Sequence, residues 1–165
     1  AKQVECEMED KLADAGLDVR VRMPEEKVIV PLDSQKTFRI FENLFGNIAK
    51  YALPGTRVYV SGFTAKDEVT IILKNITAQE LSVSGEELTE RFVRGDASRN
   101  TEGSGLGLAI AKSFTEIQGG KFRIELDGDL FKVVLIWKVK PESGNYDNSG
   151  DKVTTGDKEK QPLQS

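Results

Sequence analysis

Arg39, Asn43, Asn47 and Lys50 recur at i, i+4, i+8 and i+11, so a helix through this stretch lines them along one face. Asparagine inside a helix costs propensity, because its short amide competes with the backbone for hydrogen bonds. A row of neutral amide oxygens ending in a cation suits Mg²⁺ and phosphate. Taken alone, an ordinary solvated face explains the row as well. A second group, Gly103-Ser104-Gly105-Leu106-Gly107-Leu108, runs directly into an apolar-periodic stretch. Glycines let backbone N–H groups come close to phosphate, and a helix N-terminus adds about half a positive charge. The spacing matches neither the P-loop nor the dinucleotide fingerprint, and a hinge explains it nearly as well in isolation. The pairing of the two groups is what points to a phosphate-bearing ligand.

Composition removes several rival chemistries. The chain has 165 residues, with no His and a single Cys. A Ser-His-Asp triad, a Cys-His pair and a His-bearing zinc site therefore cannot be built from it. Cys6 alone forms no internal disulfide and reads as a small apolar filler, which fits a reducing compartment. A net charge of -4 argues against a generally basic nucleic-acid or membrane-surface binder. The longest dense apolar run, Val133 to Trp137, has strand length, far below the ~20 residues of a membrane-spanning helix. These features predict a soluble chain without direct membrane contact.

The elements that must position the two groups follow from periodicity. Val4, Met8 and Leu12 predict a short helix ended by Gly16, and Leu17 to Met23 and Val28 to Val30 read as strands. Asp33 or Ser34 can cap a long helix to about Ala52, stopped by Pro54-Gly55. Its apolar stripe is Phe38, Phe41, Phe45, Ile48 and Ala52, widened by Ile40 and Leu44. Thr56 to Thr64 and Val69 to Asn75 form a hairpin around Ala65-Lys66-Asp67. Gly85 to Phe92 allows a short helix, Arg94 to Gly103 reads as a loop, and Leu106 to Gln118 as a helix closed by Gly119-Gly120. Lys121 to Leu126 and Leu130 to Val139 form a second hairpin across Asp127-Gly128. Residues 1–140 then make one domain of the α+β class, a two-layer sandwich with about three helices on one face of a mostly antiparallel sheet. Residues 141–165 are polar and too poor in large apolar groups to offset their ordering entropy, which predicts a disordered tail.

Three stretches in order resemble the sequence boxes of bacterial sensor histidine kinases. Glu42 to Tyr51 (ENLFGNIAKY) is similar to the N box, Glu90 to Arg99 (ERFVRGDASR) to the F box, and Gly103 to Lys112 (GSGLGLAIAK) to the second glycine box. The resemblance spans about Asp33 to Val139 and implies the catalytic ATP-binding domain, with the Bergerat fold shared by gyrase-type and heat-shock chaperone ATPases. It implies Asn47 as the side-chain ligand of Mg²⁺ and Lys50 as a contact to the phosphates. Asn43 lines the phosphate site and Tyr51 packs near the adenine or ribose. Arg94 and Arg99 approach the terminal phosphates, with Phe92 anchoring their loop. Ser104, Gly105, Leu106, Gly107 and Leu108 wrap the triphosphate under a lid of about residues 93–103.

The resemblance also has departures. The family's first glycine box, Asp-Asn-Gly-x-Gly, is Asn75-Ile76-Thr77-Ala78-Gln79 here. Asn75 stands where an adenine-reading Asp is expected; its amide oxygen can accept from the adenine amino group, as a weaker neutral acceptor. Its amide could also rotate and donate, which predicts a modest preference for ATP over GTP. Gln118 replaces the His of the family's His-Gly-Gly, with no chemical consequence expected. Gyrase- and chaperone-type ATPases place a water-activating Glu where Asn43 stands, so the pattern disfavours a water-directed ATPase. The acceptor histidine must lie in a separate dimerisation domain, with a response regulator acting downstream. No nucleic acid is implied, and the implied setting is cytoplasmic, any membrane anchor belonging to the rest of the polypeptide. The alternative is a degenerate nucleotide- or partner-binding module with little kinase activity.

Overall fold

A computed structural model of the chain describes residues 2–80, 87–88 and 106–139, with side chains from residue 8 onward. Arg94, Arg99, Ser104, Gly105, the expected lid and the expected tail lie outside these residues. Of the expected short helix, residues 87–88 are helical and the rest lie outside the described residues.

The order is α1 (Lys2–Asp14), β1 (Asp18–Arg22), α2 (Ser34–Tyr51), β2 (Arg57–Ala65), β3 (Glu68–Ile76), α3 (Gly107–Ile117), β4 (Lys121–Asp127) and β5 (Leu130–Lys138). One five-stranded sheet has the order β1-β2-β3-β5-β4. β1 runs parallel to β2, and every other pair is antiparallel. The fold is therefore the expected α+β sandwich with a mixed, mostly antiparallel sheet.

Strand alternation sorts the two faces. Val58 and Val60 of β2, Val69 and Leu73 of β3, and Phe131, Val133, Leu135 and Trp137 of β5 are buried beneath the helices. α2 answers them with Ile40, Leu44 and Ile48, buried at 0, 2 and 2% exposure. These three lie at i, i+4 and i+8, so they form the true centre of the stripe. Phe38, Phe41 and Phe45, which the sequence placed at the centre, are half-buried on its flanks. Truncating a member of the central row to Ala should cost about 2–5 kcal/mol.

The expected strand at Val28 to Val30 does not form. Val28, Val30 and Leu32 lean on the core while Ile29 is 69% exposed, so the alternation is real. No ladder partner is present among the described residues, and a tight turn donating Leu32 N–H to the Val30 carbonyl (2.9 Å) bends the segment into α2. Alternation reports one buried side; it does not by itself supply a neighbouring strand.

Candidate nucleotide site

The long helix begins at Asp33, whose carboxylate accepts from the Lys36 N–H at 2.9 Å. That backbone hydrogen bond, helped by the Lys36 ammonium, holds the Asp33 carboxyl below its usual range. Gln118, at the end of α3, accepts from the Asp33 N–H at 2.8 Å and from the Thr37 hydroxyl at 3.3 Å. The start of α2 is thereby tied to the end of α3. The helices run antiparallel, so the start of α3 comes alongside the middle of α2. Gln118, for which no chemical role was expected, has a structural one, fastening the two helix ends together.

At that crossing a Cβ on Gly107 would stand 3.2 Å from the Asn43 Oδ1. Gly107 does not have positive φ, so close approach is the reason for glycine here. Asn43 in turn donates its Nδ2 to the Arg39 carbonyl at 2.7 Å, which fixes the amide and turns Oδ1 toward α3. Arg39 itself pairs with Glu42 at 2.7 Å and is drawn away from the asparagine row. Asn47, one turn on, is half-buried and makes no side-chain hydrogen bond among the described residues. The Leu106 side chain is exposed, and it opens α3 without a side-chain cap, leaving first-turn N–H groups for an anion. The Leu108 side chain belongs to the core at 3% exposure, so only its backbone can face a ligand.

Further along α2, the Lys50 ammonium lies 5.0 Å from the centroid of the exposed Tyr51 ring. Helix geometry puts roughly 13 Å between Asn43 and Ala52. The α2 C-terminus meets the end of β3 there: Leu53 N–H donates to the Ile76 carbonyl at 2.8 Å and Ala78 N–H to the Tyr51 carbonyl at 2.9 Å. Ala52 and Thr77 form an antiparallel bridge. Thr77 N–H donates to the Asp129 carbonyl at 2.8 Å, and its hydroxyl is shared between the carbonyls of Gln79 (2.7 Å) and Asp129 (3.0 Å). The segment that lost both glycines is thus pinned on two sides. Thr77 was not singled out from sequence; its contacts come from the β4–β5 turn, 52 residues away.

Asn75 sits just before this bridge, opposite Phe131 and on the helix side of the sheet. Its side chain is 3% exposed. Nδ2 donates to the Ile76 carbonyl at 3.3 Å, while Oδ1 is buried without a partner among the described residues. Rotation of the amide would set oxygen against that carbonyl, so the neighbouring backbone favours presenting an acceptor. A buried acceptor left unmade costs about 1–3 kcal/mol, and a ligand donor would recover it.

An uncapped helix N-terminus and two amides thus meet along the middle of α2, and a buried acceptor stands beyond its C-terminus, a set of groups suited to a nucleotide. The chain belongs to the family described as histidine kinase-, DNA gyrase B- and HSP90-like ATPases, whose model matches residues 32–154. ATP is the ligand this membership brings to these groups. Among relatives, the probable sensor protein PcoS of Escherichia coli is 35% identical over 135 residues, 79% of this chain and 28% of that protein. The sensor histidine kinase YvrG of Bacillus subtilis is 30% identical over 122 residues, 73% of this chain and 21% of that protein. The chain thus spans about a quarter of the length of these relatives. The catalytic domain of histidine kinase ThkA superposes with a TM-score of 0.70 at 19% identity, covering 84% of this chain and 89% of that one. A mycobacterial sensor histidine kinase, MprB, gives 0.64 at 22%, covering 85% and 95%. At these identities the structural likeness bears on the fold.

Proposed function

We propose that this chain is the ATP-binding catalytic unit of a sensor histidine kinase, delivering the γ-phosphate of Mg-ATP to a histidine on a separate dimerisation domain. The observation that carries the nucleotide assignment is the buried, unpartnered Oδ1 of Asn75, held by the Ile76 carbonyl to accept from an exocyclic amine. Adenine offers that amine at its six-position and guanine offers a carbonyl. Tyr51 and Leu53, both exposed at the α2 C-terminus, supply apolar surface for the base or ribose.

With the base at Asn75, the triphosphate runs back along α2 toward Asn47, Asn43 and the first turn of α3. Lys50 projects from the same stretch of helix and meets phosphate charge. Ser104 and Gly105 extend the phosphate wrap, and Arg94 and Arg99 approach the terminal phosphates as the F-box resemblance implies. Asn47 would hold Mg²⁺ through its amide oxygen: its half-buried side chain makes no hydrogen bond among the described residues, and a hard cation prefers oxygen. The cation neutralises charge that gathers on the phosphoryl group. Phosphoryl transfer asks the protein mainly for positioning and charge stabilisation, which these groups provide. The chain has no His, so the acceptor is supplied by another domain, and a response regulator takes the phosphoryl group from there.

Competition of ATP and GTP against a fluorescent nucleotide tests the base assignment. The neutral bond and the fixed amide predict a preference for ATP of about tenfold, lost in Asn75→Ala. Equal preference in the two proteins would place Asn75 outside the base pocket. For the transfer step, γ-labelled ATP should yield acid-labile phosphohistidine in the full-length polypeptide, and Asn47→Ala should abolish it. Undiminished labelling in that variant would remove Asn47 from the site.

A further inference from the structure

The sheet face turned away from the helices carries a cationic recess. The register sets Arg20, Tyr59, Lys74 and Lys132 side by side in one row across β1, β2, β3 and β5. Neighbours in such a row stand ~4.8 Å apart, and Arg22 and Arg57 lie one same-face step along their strands, roughly 7 Å away. Arg20, Arg22, Arg57 and Lys74 line a recess of about 380 Å³ around Tyr59, with Ile76 contributing apolar surface. That volume falls within the range of small-molecule pockets, and the aromatic ring with converging cations is a binding-site composition.

The charges there are not balanced. Asp18 takes Arg20 at 2.6 Å and lies 3.7 Å from Arg57. Arg22 and Lys74 have no ion pair among the described residues. Lys74 directly faces Lys132, which is occupied by Glu125 at 2.6 Å. Like charges placed opposite each other destabilise a sheet. This concentration of cations occurs on a chain whose net charge is -4. All four cations stand on neighbouring strands of one sheet, so the ladder sets the backbone positions from which they converge.

The geometry points to a second ligand site on this face, specific for a small molecule carrying two phosphate groups, with Tyr59 between the cations as the planar contact. Cations on either side of Tyr59 along and across the strands match two phosphates better than one. Arginine is suited to bidentate phosphate contacts. Asn75 borders the recess, but strand alternation turns its side chain to the face opposite Lys74, so occupancy here can be followed apart from occupancy on the helix side.

The test is an amide-resolved NMR titration of the 165-residue chain with inorganic pyrophosphate, at constant ionic strength of about 150 mM to screen diffuse attraction. Saturable sub-millimolar shifts at Arg20, Arg57 and Tyr59 are expected, and they should persist in Asn47→Ala, which removes the proposed Mg²⁺ ligand of the other site. Arg57→Gln and Lys74→Gln should each weaken the binding about tenfold, the loss of one charge-assisted contact. Both are exposed or half-buried changes, and the spectrum itself reports whether the fold is kept. Linear, unsaturated shifts at these residues, or saturable shifts confined to α2 and α3, would overturn the site and leave the nucleotide assignment untouched.

Discussion

Asn75 is an uncomfortable residue in the free chain and, under the proposed base assignment, a useful one in the complex. Its oxygen is buried without a partner among the described residues, so replacing it by an apolar group of similar size should help the free fold. Asn75→Val is expected to raise the denaturant-measured stability of the nucleotide-free chain by about 1 kcal/mol while weakening ATP. A variant that is both less stable and normal in binding contradicts the assignment. Gly107 is constrained by space: a Cβ would press on the Asn43 amide at 3.2 Å. Gly107→Val should therefore push α3 off α2 and cut ATP affinity, with near-native circular dichroism; unchanged affinity returns the glycines to the hinge reading. Both residues were legible from sequence by position after a strand and before a helix. What sequence could not show was the Ile76 carbonyl that orients the Asn75 amide, or the Asp129 carbonyl that anchors Thr77, because those partners are set by tertiary register.

At the level of elements, α2 is the beam on which the site hangs, and its N-terminal fastening is testable. The Asp33 carboxyl titrates below its ordinary value because the Lys36 N–H hydrogen-bonds its charged form. A depressed folded value means stability that is present above the unfolded pKa and lost as pH falls through the folded one. Acid should thus loosen the start of α2 below the usual carboxylate range. Asp33→Asn keeps a cap acceptor and should flatten this part of the pH profile; an unchanged profile would assign the effect elsewhere. Gln118→Ala removes the acceptor for Asp33 and Thr37 and should cost about 0.5–1.5 kcal/mol in chemical denaturation. Gly46 is a mid-helix glycine with nothing within 4 Å of a built Cβ. Gly46→Ala should stabilise the free chain by about 0.5–1 kcal/mol, and loss of stability would reveal a packing role. Helix and hairpin positions were legible because caps, periods and turns are local. The Val28 to Val30 segment was misread because alternation cannot tell a strand from extended chain lying on the core.

Across the whole molecule, the antiparallel α2–α3 pair sets Asn43 beside Gly107, some sixty residues on in the sequence. The mixed sheet was anticipated in kind, whereas the parallel placement of β1 beside β2 and the insertion of β5 between β3 and β4 follow from core closure that no local pattern encodes. Ligand linkage at this scale is direct: a nucleotide that binds only the folded chain raises its apparent stability with concentration. The sharpest test of the account is calorimetric titration of ATP, with and without Mg²⁺, into the chain and its Asn75→Val variant. The account predicts saturable single-site binding strengthened by Mg²⁺ and about tenfold weaker in the variant, the value of one buried hydrogen bond. Binding of equal strength in both proteins, or none in either, would contradict it.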